Sequence, residues 1–470
     1  MTVDGKISRC AYRARPSRAR EIQKWLLENQ PHANLIKAQP CEISPFSFLA
    51  QLSWTTSSSL GGFFTLWLCI FLAFFGYYAS LACIAGVIIP ATFVSADYLT
   101  EKHPKLTAWL KAQIMHGSSR WMGVHIVVED IREALHNSSL MMHSLKEKDS
   151  SDADATTTLT SAGEKNKNKN LALAQSCILG IEPHDVLPLG CCSMAAGTEA
   201  FLMQRTSPVG CHQGTYSLDA DGRPRNLADE SSSGPGGGCS ATKSSSSSSS
   251  LECKQTGKNE VLELHLRETH MAITGAILKV PIFNVFCHLC GGRDASKAVL
   301  VEELERGNNV GICPGGVKEV IYNFAYTLSP AELKEHNIEP GSKNYKIVFL
   351  KERKGFAKLA VEKKRPLVPI FIFGQEKLFY PLLLAPPQSW SFLRGSWEKT
   401  TRVIGFVPIL PLGLFLTLPF PGSLSVVVGK AIQGTDMNAV HEEYCRELKR
   451  IAETYAPCFG YGKDFRLIVM

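Results

Sequence analysis

The sequence predicts an α/β domain that follows a long apolar segment. Three observations support this prediction. An apolar run at 176–181 predicts a buried strand, strand and helix patterns alternate from residue 261 onward, and no charged residue occurs from Ile43 to Ala96. Short apolar runs that end at proline or glycine are typical of buried strands, and strands that alternate with helical patterns favour an α/β fold.

Composition sets the first limits on function. The chain has 470 residues, enough for one large domain or two ordinary ones, and a net charge of +7. This mild charge fits attraction to an anionic membrane surface or substrate, and the sequence has no basic helix with interleaved aromatic residues to indicate nucleic-acid binding. The 15 cysteines are scattered through apolar segments, which indicates reduced thiols in the cytosol. Cys287 and Cys290 form one isolated CxxC pair, so we predict no metal site.

Residues 1–42 are polar and basic, and we predict that they form a cytosolic N-terminal segment. No short apolar stretch with a small-residue cleavage site follows, so this segment is not a secretory signal peptide. A transit peptide is also rich in arginine and poor in acidic residues, and it stays an open alternative.

Residues 43–96 form the predicted membrane hairpin. The most apolar part, Leu60–Val94, exceeds the roughly 20 residues of one straight span and is slightly short for two. Because basic residues precede the segment, the N-terminus is expected in the cytosol, and a hairpin returns the chain there at Asp97. A single tilted span, which would place the remaining chain in the lumen, is the alternative.

Residues 97–470 form the predicted globular domain, which carries two inserts. The inserts, at about 145–170 and 204–258, are rich in small polar and charged residues, and the second contains the serine run Ser244–Ser250. Such segments cannot bury enough apolar surface to order themselves, so we predict disordered loops.

The turn after the first buried strand carries a candidate catalytic histidine. Glu182-Pro183-His184-Asp185 follows the apolar run, and the strand has to end before Pro183 because proline lacks a backbone N–H. Loops held by a rigid scaffold often carry function, and His184 lies on such a loop. An ordinary histidine in a proline-containing loop is the alternative interpretation.

A second candidate segment is a glycine-rich turn between a strand and a helix. Asp294 is predicted to cap a helix at Ala295–Arg306, and a buried strand is predicted at Val310–Cys313. The turn that follows is Pro314-Gly315-Gly316. Glycines let backbone N–H groups approach a ligand or a reacting oxygen closely, and Glu319 follows at a position able to face the turn.

The rest of the chain predicts two more helices and two more strands. Lys351–Glu362 forms a basic amphipathic helix, with a buried face at Phe356, Leu359 and Ala360, before a strand at Leu367–Phe373. The basic face is free to bind an anion, or it is simply solvated. Four prolines interrupt the charge-free run Phe406–Val428, which we interpret as an interfacial segment or the wall of an apolar pocket. A last strand at Ser425–Gly429 precedes a helix at Asn438–Tyr455 that buries Val440, Tyr444, Leu448 and Ile451.

Four ordered segments together resemble the diacylglycerol acyltransferase type 2 family, which also holds monoacylglycerol and wax-ester acyltransferases. They are Glu182–Pro188, Pro314–Glu319, Arg353–Phe356 together with Leu367–Gly374, and Val427–Lys430 with the C-terminal helix and Gly460-Tyr461. The Glu-Pro-His form is similar to the plant and algal branch. The resemblance covers about residues 60–125 and 172–470 without the inserts. It implies a glycerolipid-acyltransferase-like α/β domain with an N-terminal membrane hairpin.

The resemblance also implies an activity and a location. It implies an acyl-CoA:diacylglycerol O-acyltransferase that makes triacylglycerol at the endoplasmic reticulum membrane, with its catalytic domain facing the cytosol. A lipid droplet is an alternative location. The implied partners are acyl-CoA, diacylglycerol and the membrane, with no nucleic acid, and a homo-oligomer is left open. We expect no cofactor beyond the co-substrate acyl-CoA.

The chemistry assigns roles to the candidate residues. A glycerolipid hydroxyl needs a base as it attacks a thioester, and histidine, with a pKa of roughly 6.5, suits that role, so His184 is the expected base. By resemblance and position, Glu319 is expected to orient the imidazole, with Glu182 or Asp185 as alternatives. The Gly315 and Gly316 amides are expected to stabilise the oxyanion, and Arg353, Lys354 and Lys358 to hold the phosphates of coenzyme A. The full substrate-binding set is Glu182, Pro183, Asp185, Pro314, Gly315, Gly316, Arg353, Lys354, Gly355 and Phe356.

Other acceptors and another class of protein remain as alternatives. The acceptor could be monoacylglycerol, a fatty alcohol or lysophosphatidate. Phospholipid acyltransferases use an arginine after their glycine turn to bind a phosphate, whereas this chain has Val317-Lys318, which favours a neutral acceptor. The last alternative is a catalytically inactive, hairpin-anchored lipid-droplet protein.

Overall fold

An eight-stranded mixed sheet forms the centre of the domain in the computed structural model. Its strands are β1 (Asn34–Ala38), β2 (Val124–Val128), β3 (Ile178–Glu182), β4 (Thr269–Ile273), β5 (Gly292–Asp294), β6 (Asn309–Ile312), β7 (Leu367–Phe373) and β8 (Leu424–Val428). Their order is β1-β2-β8-β7-β3-β6-β4-β5. The five strands from β7 to β5 are parallel, and β8 runs antiparallel to β7. The described residues are 17–39, 41–58, 78, 86, 102–129, 141–146, 176–185, 216–218, 224–226, 261–266, 269–280, 283–325, 328–342, 344–383, 385–387, 389–404, 409–415 and 418–470.

Helices cover both faces of the sheet. They are α1 (Ser17–Asn29), α2 (Pro45–Ser58), α3 (Pro104–Met122), α4 (Gly275–Leu278), α5 (Phe283–Leu289), α6 (Lys297–Glu305), α7 (Gly316–Ala325), α8 (Pro330–Glu335), α9 (Gly355–Lys363), α10 (Ser391–Ile404) and α11 (Met437–Tyr455). The alternation along β7 separates two cores. Ile370 and Ile372 pack in the core that contains Trp121 of α3. Phe371 and Phe373 pack in the core that contains α9 and α11.

Four two-stranded ladders and two 3-10 helices complete the described structure. The ladders pair Tyr345–Val348 with Arg466–Val469, Tyr380–Leu383 with Ile409–Leu412, Met141–Lys146 with Val261–Leu266, and Tyr216–Leu218 with Pro224–Asn226. The 3-10 helices are Gln375–Lys377 and Ala456–Phe459. The first ladder is parallel, so the C-terminal strand lies beside the strand that contains Lys346.

Most predicted elements are confirmed, and two helix starts differ. The helix predicted from Ala295 begins at Lys297 with Ser296 as its N-cap residue. Asp294 is therefore not the cap, because its carboxylate accepts a hydrogen bond of 2.7 Å from the Ser296 amide, two residues on. The basic helix begins at Gly355 rather than Lys351, since Lys351 and Glu352 form a turn that the Arg353 amide closes on the Leu350 carbonyl.

The predicted hairpin lies mostly outside the described residues. Its first part forms α2, which packs against α3. Among the described helices, none combines the length and the apolar composition that crossing a membrane requires. The predicted disordered inserts also lie mostly outside the described residues. Within them, Tyr216–Leu218 and Pro224–Asn226 form a short antiparallel ladder, and Leu145 and Lys146 end another strand, which differs from the prediction at these residues.

Candidate active site

Three neighbouring parallel strands bring the predicted turns to one edge of the sheet. β3 lies between β6 and β7, and all three end at this carboxyl edge. The His184 turn follows β3, the Pro314-Gly315 turn follows β6, and Gly374 and Gln375 follow β7. Ligand sites in open α/β sheets commonly lie outside the carboxyl ends of the strands, and α7 begins here with its N-terminus.

The His184 ring adopts the tautomer of a base. Its Nδ1 lies 2.9 Å from the main-chain carbonyl oxygen of Asp185. Because a carbonyl oxygen only accepts, Nδ1 carries the hydrogen and Nε2 of the neutral ring is the acceptor. Burial lowers the pKa of the His184 imidazole, and the neighbouring Asp185 opposes this only in part, so the ring stays neutral near neutral pH.

Glu319 holds the main chain of His184 and does not contact its ring. The His184 amide donates a hydrogen bond to Glu319 Oε1. The prediction that Glu319 orients the imidazole is therefore wrong, because this carboxyl meets the backbone. The Asp185 carbonyl orients the ring in its place, and no side chain among the predicted candidates does so.

Two glutamates meet behind the turn, and both favour the protonated form. Glu182 and Glu319 are both fully buried, and Glu182 Oε1 accepts a 2.7 Å hydrogen bond from the Gly315 amide. Burial raises the pKa of Glu182 to about 8. Burial and the adjacent Glu182 raise the pKa of Glu319 well above its ordinary range, so both carboxyls hold a proton at neutral pH. Gly315 is required at this point, because a Cβ there would overlap Glu319 Oε2.

The predicted oxyanion site needs a correction at Gly315. Its amide is already bonded to Glu182, so it does not point at a substrate oxygen. Gly316 is the first residue of α7, with φ of 55°. The first amides of a helix have no acceptor within the helix, which leaves the first turn of α7 to stabilise negative charge.

Gln375 fixes the histidine turn from the neighbouring strand. Its side-chain amide donates to the carbonyl of Pro183 at 2.8 Å and to that of His184 at 3.1 Å. Gln375 comes two residues after the strand predicted at Leu367–Phe373, and it was not identified as a site residue from the sequence. Its position directly after a buried strand that is parallel to β3 was the available signal.

Lys346 is a second residue that the sequence did not single out. Its Nζ lies 2.8 Å from Asp185 Oδ1 and 3.9 Å from Glu376 Oε2. Burial alone would lower the pKa of the Lys346 ammonium, but the Asp185 and Glu376 carboxylates outweigh burial and raise it. Tyr461, whose hydroxyl donates to Glu376, completes the network. Lys346 and Asp185 are 161 positions apart, so no local motif joins them.

The predicted coenzyme A residues lie at the start of α9. The helix ends at Lys363 and leads through Pro366 into the amino end of β7, so its N-terminus points toward the carboxyl edge. Arg353, Lys354 and Gly355 are exposed there, and Lys354 Nζ donates to Asn438 at 2.8 Å. Phe356 is buried, and its ring lies 4.8 Å from that of Tyr444, so it belongs to the core rather than to an open binding surface.

Two further predicted site residues, both prolines, belong to the turns themselves. Pro183 is buried and bonds through its carbonyl, and Pro314 is half-buried in the glycine turn. In the described part of the chain, no group of three or more potential ligands could hold a metal ion. The Cys287 and Cys290 side chains are buried, and burial raises the pKa of the Cys287 thiol to about 12.

The second half of the chain matches a known family. Residues 249–470 match the family model described as diacylglycerol acyltransferase. Diacylglycerol O-acyltransferase 2 of Danio rerio is 27% identical over 42% of this chain and 54% of its own length. 2-acylglycerol O-acyltransferase 1 of Bos taurus is 31% identical over 26% of this chain and 39% of its own length. The chain thus spans about half the length, or less, of these curated relatives.

One solved structure gives a weak overall match. It is the 1-acyl-sn-glycerophosphate acyltransferase from Thermotoga maritima, with 10% identity and a TM-score of 0.29. The alignment covers 86% of this chain and 97% of that one.

Proposed function

We propose that the protein is an acyl-CoA:diacylglycerol O-acyltransferase that makes triacylglycerol, because residues 249–470 match the family model described as diacylglycerol acyltransferase. In this reaction the acceptor hydroxyl oxygen attacks the thioester carbonyl and forms an ester. The C–S bond breaks, coenzyme A leaves as a thiolate, and the hydroxyl proton ends on that thiol. Acyl-CoA is the co-substrate, and the reaction requires no other cofactor.

The observation that carries this proposal is the tautomer of His184. Nδ1 bonded to the Asp185 carbonyl leaves Nε2 to accept the proton of the attacking hydroxyl. The lowered pKa of the ring keeps this nitrogen unprotonated at neutral pH. The same imidazole can then deliver the proton to the leaving thiolate.

Two helix N-termini support the remaining steps. The first turn of α7 follows the glycine turn and is placed to stabilise the oxyanion of the tetrahedral intermediate. The N-terminus of α9, with Arg353 and Lys354 exposed, suits the phosphates of coenzyme A. We propose that the chain acts at the endoplasmic reticulum membrane with this edge facing the cytosol, and that residues 43–96 anchor it there.

Monoacylglycerol is the second candidate acceptor. It is favoured by the 31% identical relative, whose name is that of a 2-acylglycerol acyltransferase. Both acceptors are neutral and present a free hydroxyl to the same base, one in diacylglycerol and two in monoacylglycerol, so the proposed chemistry is shared.

The test uses microsomes from cells that lack their own triacylglycerol synthesis. Labelled oleoyl-CoA is supplied with diacylglycerol, monoacylglycerol, fatty alcohol or lysophosphatidate. The variants are His184→Ala and His184→Asn, whose amide can still donate to the Asp185 carbonyl but offers no basic nitrogen. His336→Ala, at the end of α8, is the matched control.

We expect label in triacylglycerol for the wild type and the control. Both His184 variants are expected to lose about 100-fold to 10,000-fold in rate, the usual contribution of a general base. Preference for another acceptor would change the proposed substrate and leave the proposed mechanism unchanged. Equal rates for wild type and His184→Asn would refute His184 as the base. No product with any acceptor, despite normal expression, would favour the inactive lipid-droplet protein.

A further inference from the structure

Asp185 adopts a backbone conformation that L-residues other than asparagine and aspartate rarely adopt. Its φ is 49°, in the left-handed region. In this conformation its carbonyl oxygen meets Nδ1 of His184 at 2.9 Å. The orientation of one peptide group therefore determines which imidazole nitrogen carries the hydrogen.

The Asp185 side chain is held by a buried ion pair. Its Oδ1 lies 2.8 Å from Lys346 Nζ, and the two side chains are 1% and 13% exposed. A buried carboxylate needs such a partner, because an unpaired charge in the interior is strongly unfavourable. The ammonium thus fixes the side chain of the residue whose main chain fixes the histidine.

Lys346 itself is restrained from several sides. Its strand pairs with the C-terminal strand, in which Leu467 lies opposite Lys346. Glu376 Oε2 lies 3.9 Å from its ammonium, and the Phe324 ring lies 5.8 Å away. The Tyr461 hydroxyl donates to the same glutamate, so Glu376 is restrained in turn. These contacts hold the Lys346 ammonium in one position, and the ammonium in turn holds the Asp185 side chain in the histidine turn.

We propose that Lys346 is a positioning residue, which acts through Asp185 to keep His184 in the tautomer with Nε2 unprotonated. Lys346 does not touch the substrate in this arrangement. The inference rests on the proposed role of His184 as the base. It adds a residue to which none of the sequence motifs assigned a role.

Because Lys346 acts on His184 only through Asp185, removing either side chain or both interrupts the same connection, and this allows a sharp test. Lys346→Met leaves the Asp185 carboxylate buried without its ammonium, and Asp185→Gly leaves the ammonium without its carboxylate. The double variant Asp185→Gly/Lys346→Met has neither charge. Glycine adopts a φ near that of Asp185 without strain, so the carbonyl can keep its place.

We expect Lys346→Met to lower the kcat of acyl transfer on the order of 100-fold, the cost of a small displacement of a catalytic group. The KM for acyl-CoA is expected to change little, and Lys346→Arg is expected to keep most of the activity. The double variant is expected to lose about as much as Lys346→Met alone, and not the product of the two single losses. Lys297→Met, which removes an exposed ion pair with Glu362, is the matched control, and it is expected to leave kcat and KM unchanged.

A second measurement needs no turnover. Diethyl pyrocarbonate modifies unprotonated imidazole, and mass spectrometry reports the rate at His184 in the full-length protein. We expect a changed rate in Lys346→Met and the same changed rate in the double variant. If the wild type transfers no acyl group but this pattern holds, the proposed function fails and the positioning role stands. Unchanged kcat and unchanged modification in Lys346→Met would overturn the inference, as would a double variant whose loss in kcat equals the product of the losses in Lys346→Met and Asp185→Gly.

Discussion

The buried pair of carboxyls beside His184 ties the stability of the fold to pH. The folded pKa of Glu182 is about 8 against an ordinary value of 4.5, chiefly because of burial. The folded state therefore holds a proton that the unfolded state releases. Its stabilising contribution is complete below about pH 4.5 and is lost as the pH rises through about 8.

Glu182→Gln is expected to remove this part of the pH dependence. Glutamine keeps an oxygen that can accept from the Gly315 amide and never ionises. Above about pH 8 the variant is expected to be more stable than the wild type, by a few kcal/mol at about 1.4 kcal/mol per pKa unit. Denaturant unfolding of the detergent-solubilised protein from about pH 5 to pH 9 measures this. Glu352→Gln, at an exposed position, is the control, and parallel stability curves for Glu182→Gln and wild type would contradict the prediction.

At the scale of elements, α11 packs closely against β3, the strand that leads into the histidine turn. Gly180 lies in β3 directly under Tyr444, and a Cβ at Gly180 would overlap the tyrosine ring. The Tyr444 hydroxyl is buried and, among the described residues, has no hydrogen-bond partner. The contact therefore depends on close packing and on the absence of a side chain at Gly180.

Two substitutions separate packing from polarity at this contact. Gly180→Ala is expected to destabilise the protein by about 1–3 kcal/mol, the usual cost of overpacking. Tyr444→Phe is expected to leave stability unchanged or raise it, because it removes a buried hydroxyl without breaking a bond. Thermal unfolding in detergent measures both. A clear loss of stability in Tyr444→Phe would mean that the hydroxyl does have a partner. Gly395→Ala, where an added Cβ meets no atom within 4 Å, is the control.

The sequence predicted elements better than it predicted contacts. β3, β6, β7 and α11 were predicted within one or two residues, because each is an apolar run or stripe bounded by proline, glycine or charge. The start of α9 was missed, since a basic stretch with helical spacing does not show where the first helical hydrogen bond forms.

The site was predicted as a set of residues but not as a network. The turns that carry His184 and Glu319 were identified from the sequence. The hydrogen bonds that these two residues make, from the His184 ring to the Asp185 carbonyl and from the His184 amide to Glu319, were not. The sequence suggested Glu319 for the imidazole, but the rise of α7 from Gly316 places that carboxyl at the His184 amide. Lys346 was not found, because its contact with Asp185 joins residues 161 positions apart and depends on the ladder with the C-terminal strand.

At the scale of the whole molecule, the site is assembled from both halves of the chain. The family match begins at residue 249, whereas His184 follows β3, which the sheet places between β6 and β7. The pairs Leu367↔Ile178 and Val310↔Ile178 fix this central strand on both sides. The acyltransferase proposal therefore requires the segment at 176–185 as much as the matched region.

The C-terminal strand lies far from the histidine turn in the sequence, but it pairs with the strand that contains Lys346. The Met470 carbonyl accepts from the Leu350 and Lys351 amides, and the Met470 amide donates to the Val348 carbonyl. These bonds hold the strand that presents Lys346. Removing residues 468–470 is expected to loosen Lys346 and to lower kcat on the order of tenfold, with little change in the KM for acyl-CoA.

The same truncation distinguishes positioning from general stability when it is made in two backgrounds. In the Asp185→Gly/Lys346→Met protein there is no ammonium to position, so the truncation is expected to cost clearly less than tenfold there. Contacting parts of one network give such non-additive effects, and independent parts do not. The measurement is labelled oleoyl transfer by all four proteins at matched expression. An equal fold loss in both backgrounds would show that the C-terminal strand stabilises the domain without acting through Lys346.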